Sequence, residues 1–356
     1  MNEDYVNNIC TIYEMYGYRQ FRMSKFEEYD LYVRNKDFLL SDKIITFNDT
    51  NGKLMALKPD VTLSIIKSSR ENPETVKKVF YDENVYRVSK GTDTFSEIRQ
   101  IGLECIGKID LYSVAEVIML AAKTLEKVSG SYILEISDFS LVTDLLTDCG
   151  ISDYVMEKAL QCIGNKNLHD LTDLLKAEDV DCGKIDVINR VSELYGEPEK
   201  VISGLRKILP GNKSIETLDK ITSVLRGYNV RIDFSLTGNK NYYNGLIFKG
   251  YIDGIPESVL SGGQYDRLLQ KMKRSSGAIG FALYTNLLEV LDKNIDEFDA
   301  DNVILYPEEC DVVALNELRD SFTENGMNVY VCSSIPERFR YRKLYMFDGK
   351  EVTEVG

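Results

Sequence analysis

The sequence has a single histidine, His169, among 356 residues. A zinc site built on several histidines is therefore excluded. Any serine–histidine or cysteine–histidine nucleophile would have to run through that one side chain, which sits in a polar helical stretch and reads as surface. The seven cysteines, at positions 10, 105, 149, 162, 182, 310 and 332, form no C-x-x-C pair and are odd in number. That is the pattern of reduced thiols and predicts a cytoplasmic protein. No apolar run approaches the ~20 residues of a membrane helix. The acidic start, Met1-Asn2-Glu3-Asp4, has no apolar stretch behind it and predicts no signal peptide. Bases are also in the minority, 43 against 57 acids, for a net charge of −14. Such an excess repels phosphate backbones unless cations gather locally, so nucleic acid is not the expected main partner. What is present is ordinary globular composition, 44% hydrophobic and 28% charged.

Along the chain, the first third alternates helix and strand signals. Val6, Ile9, Cys10 and Tyr13 recur at helical spacing over residues 3–15, and Gly17 ends that element. Residues 44–47 and 53–57 read as strands joined by the turn at 48–52. Residues 78–88 and 98–106 read as an antiparallel pair, and 132–136 as a further strand. Between them, 111–128 carries Leu111, Val114, Ala115, Ile118, Ala122 and Leu125 on one helical face. Strand signals vanish from 139 to 226, where short leucine-patterned helices punctuated by glycine predict a helical insertion. Strands resume at 230–236 and 243–251, followed by a turn-rich Ser261-Gly262-Gly263 and a last core segment at 277–283. After an acidic linker at 294–301, residues 302–331 read as one β-α-β unit. The tail carries Arg338, Arg340, Arg342 and Lys343, read as a solvated face. Blocks of strands joined by hairpins predict an α+β fold with an antiparallel sheet rather than a doubly wound parallel one. The expected divisions are 1–138 and 227–293 for the core, 139–226 for the insertion and 302–356 for a small C-terminal α/β segment.

Four clusters could carry chemistry, each with a plainer alternative. In Lys58-Pro59-Asp60-Val61-Thr62, Asp60 and Thr62 either cap a helix or hold a ligand ammonium. On a strand, Gln100, Gly102 and Glu104 share one face, which is either solvated or the floor of a small-ligand site. In Asn241-Tyr242-Tyr243-Asn244-Gly245 the tyrosines either pack or supply a specificity hydroxyl. Ser261-Gly262-Gly263-Gln264-Tyr265-Asp266 is a turn taken alone. None is a nucleotide-binding glycine motif, and no cofactor is expected.

Their order resembles the catalytic core of the histidyl-tRNA synthetases over about residues 5–290. Tyr16-Gly17-Tyr18, Phe26-Glu27, the four clusters and Gly280-Phe281-Ala282 fall in family sequence. The resemblance implies a class II aminoacyl-tRNA synthetase-like, six-stranded antiparallel sheet flanked by helices. It also implies a histidine pocket: Asp60 and Thr62 at the α-amino group and Gln100 beside the backbone end of the amino acid. Glu104 and Tyr243 face the two ring nitrogens, and Tyr265 lines the wall. A neutral imidazole offers one donor and one acceptor, so a carboxylate and a hydroxyl can read both.

On the nucleotide side, the residues departing from the family are cationic. Gly238-Asn239-Lys240-Asn241 stands where the family has an arginine-led segment, leaving Lys240 as a substitute point charge. Asn286 and Leu287 stand where the family ends Glu-Arg, and Ser89 replaces a glutamate, while Arg87 remains as the residual phosphate-side residue. Each lost preorganised donor costs about 10²–10³ in rate, so aminoacylation is not expected. This combination resembles a paralogous family, the regulatory subunits of ATP phosphoribosyltransferase. That resemblance implies a non-catalytic homodimer within a hetero-oligomer, bound to the short-form catalytic subunit and responsive to histidine as effector. The alternatives are a divergent synthetase and a scaffold with a vestigial pocket.

Overall fold

Long runs of alternating side chains set the frame of the molecule. The structure, a computed structural model, describes residues 3–36, 43–69, 74–88, 94–291, 298–324, 326–349 and 351–355. The chain divides into two compact units, Met1–Val290 and Leu291–Gly356. Among the described residues, no helix is long and apolar enough to cross a membrane. All seven cysteines are free thiols.

In the first unit the strands are, in chain order, β1 (Arg19–Gln20), β2 (Phe26–Glu28), β3 (Thr46–Asn48), β4 (Leu54–Leu57), β5 (Val76–Val88), β6 (Phe95–Gly107), β7 (Tyr132–Asp138), β8 (Tyr195–Gly196), β9 (Val230–Asp233), β10 (Leu246–Ile252), β11 (Leu260–Gln264) and β12 (Gly277–Tyr284). Nine of them form one sheet in the order β1-β5-β6-β12-β11-β10-β7-β9-β8. The expected six antiparallel strands are its centre, β5-β6-β12-β11-β10-β7. Parallel β1 extends one side, and parallel β9 followed by β8 extends the other. Strands β2, β4 and β3 make a separate three-stranded sheet. Ser261, Gly262 and Gly263 correct the sequence expectation: they lie inside β11 rather than in a turn.

Alternation along β6 decides which side of the sheet faces what. Ile101, Leu103 and Cys105 are buried towards the helices, and Gln100, Gly102 and Glu104 point to the opposite face. Helix Glu3–Met15 packs behind the sheet, where the Tyr13 ring lies 5.9 Å from that of Phe80 and 6.1 Å from that of Phe281. The Tyr13 hydroxyl meets Thr124 Oγ1 at 2.8 Å, tying it to helix Leu111–Val128. That second helix begins where Asp110 accepts the Ser113 N–H, and it buries Val114, Val117, Ile118 and Leu125. Each such side chain contributes about 1.5–3 kcal/mol on burial.

Residues 139–224 are helical apart from β8, running from Phe139–Thr147 to Lys213–Val224. His169 is on their surface, its side chain 85% exposed beside Asp173. In the second unit, β13 (Ala300–Leu305), helix Val312–Thr323 and β14 (Val329–Cys332) form the expected β-α-β with parallel strands. The basic tail also adds β15 (Tyr341–Phe347) and β16 (Val352–Glu354), giving the order β14-β13-β15-β16. There Arg340, Arg342 and Lys343 pair with Asp299, Asp301 and Glu354.

Candidate functional site

Asp60 is placed by helix geometry. It sits in extended backbone just before helix Val61–Ser68, and its carboxylate accepts the Leu63 N–H at 2.9 Å. The helix is anchored because Val61, Leu63, Ile65 and Ile66 pack in a core with Val79, Val85, Ile106, Leu268 and Leu269. Two residues earlier, the fully buried Lys58 ammonium lies 2.8 Å from Glu83, which also accepts the Met23 N–H. Burial pushes the Asp60 carboxyl above its ordinary range, against the pull of Arg87 beside it. Arg87 itself is aimed by a 2.8 Å bond from its Nε to the Pro59 carbonyl.

The front of the sheet forms the floor of a cavity of about 260 Å³. Cross-strand register puts Tyr81, Gly102, Ala282, Ser261 and Lys249 in one row over five strands. In the middle of the row Ala282 and Ser261 line the cavity, while the Tyr81 hydroxyl lies against Gly102. One residue pair along β6, the buried Glu104 stands at the deep end. Its carboxylate accepts the Thr62 hydroxyl at 2.8 Å on one oxygen and the Tyr265 hydroxyl on the other. Burial nevertheless pushes this carboxyl up to about 8, the two hydrogen bonds only partly opposing it. Because Thr62 and Tyr265 donate to Glu104, their oxygens still offer lone pairs to a ligand's N–H groups.

Gly280 lies opposite Glu104, and a Cβ there would come 1.8 Å from Glu104 Oε2 and 2.5 Å from the Leu103 carbonyl. We expect Gly280→Ala to displace Glu104 and destabilise the fold by about 1–3 kcal/mol, the usual cost of overpacking. Chemical denaturation of the variant and parent proteins checks this.

The far wall is the segment 237–243, of which Thr237, Gly238, Asn239, Tyr242 and Tyr243 face the cavity. Tyr243 is not on a strand, as its sequence suggested, but in the turn before β10, its N–H bonded to the Asn239 carbonyl. The rings of Tyr242 and Tyr243 are 4.6 Å apart, and Tyr242 lies 5.7 Å from Tyr265. Burial raises all three phenols, so they are neutral donors and acceptors near neutral pH. Asn244 holds the end of this segment, bonding Asp266 at 2.9 Å.

The structure therefore brings Asp60, Thr62, Gln100, Glu104, Tyr243 and Tyr265 around one cavity, with Arg87 also on its wall. Lys240 is a correction. Its ammonium turns to Asp153, at 2.6 Å, at the start of helix Asp153–Gly164, and its carbonyl accepts Arg267. Asn286 and Leu287 are in the 3₁₀ turn Thr285–Leu291, and Ser89 lies outside the described residues. Sequence reasoning named Tyr242 only as one of two candidate hydroxyls, and it missed Lys249 and the Ser261–Tyr284 hydroxyl pair, 2.7 Å apart. Lys249 had a readable signal, a lone charge within the apolar strand Leu246–Ile252.

Known proteins are similar to this chain in sequence and fold. A protein of Clostridium acetobutylicum named ATP phosphoribosyltransferase regulatory subunit is 28% identical over 365 residues, 97% of this chain and 89% of that protein. The fold matches that of an ATP phosphoribosyltransferase regulatory subunit/histidyl-tRNA synthetase from Bacillus halodurans, with a TM-score of 0.79 at 22% identity, covering 98% of this chain and 94% of that one. It also matches a chain of the ATP phosphoribosyl transferase (HisG:HisZ) complex from Thermotoga maritima, with a TM-score of 0.63 at 22% identity over 80% and 97% of the two chains. The family model of histidyl-tRNA synthetase matches residues 1–288, the stretch that builds the nine-stranded sheet and its cavity, and the chain belongs to that family.

Proposed function

We propose that this chain is the non-catalytic regulatory subunit of a cytoplasmic ATP phosphoribosyltransferase, and that it binds histidine in the cavity over β6. It acts as a homodimer that assembles with the short-form catalytic subunit of that enzyme and confers feedback by histidine. The observation that carries the reading is an asymmetry within one cavity. At its deep end two carboxylates and three hydroxyls converge on a space suited to an ammonium and an imidazole. On the nucleotide side, Gly238 and Leu287 occupy positions that in the synthetases carry arginines, and Lys240 is engaged by Asp153. Adenylation relies on electrostatic clamping of phosphates, so a site of this kind retains binding and loses transfer. The shared name of the Clostridium acetobutylicum relative supports the same reading.

Histidine can inhibit only by favouring one state of the assembly over another, so its affinity must differ between them. We expect the chain to co-elute with a short catalytic subunit and to raise its phosphoribosyl transfer at least tenfold, with added histidine reversing the rise. Gel filtration and a coupled assay measure both. A well-folded chain that gives histidine-dependent ATP–pyrophosphate exchange and no complex is instead a synthetase. Complex formation without histidine affinity identifies a scaffold.

A further inference from the structure

A cavity that accepts a whole amino acid needs a cation for the carboxylate as well as acids for the ammonium. The segment that would supply it in the synthetases here supplies Gly238, and Lys240 of the same segment points to Asp153. Two cations remain on the wall, Arg87 and Lys249. Arg87 is tied to the Pro59 carbonyl and stands beside Asp60, at the end that would take the ammonium. Lys249 differs. Its ammonium makes no hydrogen bond or ion pair among the described residues, although the side chain lines the cavity.

Register fixes where that ammonium stands. Lys249 is paired with Ser261, Ser261 with Ala282 and Ala282 with Gly102, so all four point to the cavity face. Three strand steps, about 14 Å at the backbone, separate Lys249 from the strand that carries Glu104. Between them Ala282 and Ser261 line the floor, Ser261 bonded at 2.7 Å to the Tyr284 hydroxyl, and the Tyr81 hydroxyl lies against Gly102. On the outer side Lys249 is paired with Glu135 of β7, whose other charged neighbours are Asp233 and Lys166. Lys166 already bonds Asp233 at 3.4 Å.

We infer that Lys249 is the carboxylate-binding residue of this site, replacing from β10 the cation that the 238–243 segment no longer provides. The assignment rests on the histidine reading above. It makes Lys249 a specificity residue: it separates amino acids from the corresponding amines, while Glu104 and Tyr243 read the ring. The rival role is charge balance for Glu135 alone.

Calorimetric titration of the full chain with histidine and with histamine, which lacks only the carboxylate, tests the assignment. A charge-assisted hydrogen bond in such a cavity corresponds to roughly 10- to 100-fold in affinity. The parent protein is expected to prefer histidine by that factor. Lys249→Gln should bring the two ligands within about threefold by weakening histidine alone, and Lys249→Arg should restore part of the preference. Thermal melts confirm that both variants fold. A preference that survives Lys249→Gln, or equal weakening of both ligands, overturns the assignment. Arg87→Gln abolishing the preference in its place does the same. Equal binding of both ligands by the parent sinks Lys249 alone, and binding of neither sinks the histidine reading with it.

Discussion

Replacing Glu104 by alanine is expected to weaken histidine binding at least 10²-fold, read as a change in Kd by calorimetry at pH 7. The carboxylate is the deepest polar group of the cavity and receives both the Thr62 and Tyr265 hydroxyls. Its removal takes away a hydrogen bond to the ligand, worth about 0.5–1.5 kcal/mol. It also leaves two buried hydroxyls without their acceptor, each costing about 1–3 kcal/mol unless water replaces it. Glu104→Gln keeps the shape and an acceptor oxygen, so its loss should be smaller, near tenfold. An alanine variant that binds histidine within threefold of the parent would remove Glu104 from the site.

The second large effect is on stability. Glu104 titrates at about 8 in the folded chain, against an ordinary value of 4.5, because burial penalises its charge. The folded state therefore holds this proton more tightly than the unfolded state. The resulting stabilisation is complete below pH 4.5, declines as pH rises and is gone above 8. Across that window the loss is on the order of 5 kcal/mol for the unliganded protein. Asp60 and Asp138 are also raised by burial and slope the same way, so the comparison needs a variant. Glu104→Gln removes one titration and should flatten the decline between pH 5 and 8, measured by urea denaturation at fixed ionic strength. Parallel pH profiles for the two proteins would show that Glu104 titrates as it does in water.

Much of this was legible in the sequence where local rules agree with the fold. Helix Leu111–Val128 was read to the residue because an amphipathic stripe runs along it; the structure adds the Asp110 cap. The two-residue period placed Gln100, Gly102 and Glu104 on one face; Gln100 and Glu104 line the cavity, and the Tyr81 hydroxyl lies against Gly102. What failed depends on partners distant in sequence. Ser261-Gly262-Gly263 looked like a turn, yet a Cβ on Gly262 would meet the Gly280 carbonyl at 2.4 Å and Phe281 at 2.5 Å. Only the neighbouring strand explains that glycine. The edge strands β1 and β8 have two residues each, too short for any periodicity. Lys240 was placed near the ligand by its neighbours in sequence, while the partner that claims it lies 87 positions away.

The contact between Lys240 and Asp153 gives the cavity a mooring line. The tyrosine-bearing segment that lines the cavity is roped to the first turn of a helix in the 139–224 block. Because Asp153 is fully exposed, that rope contributes little and weakens further as salt is added.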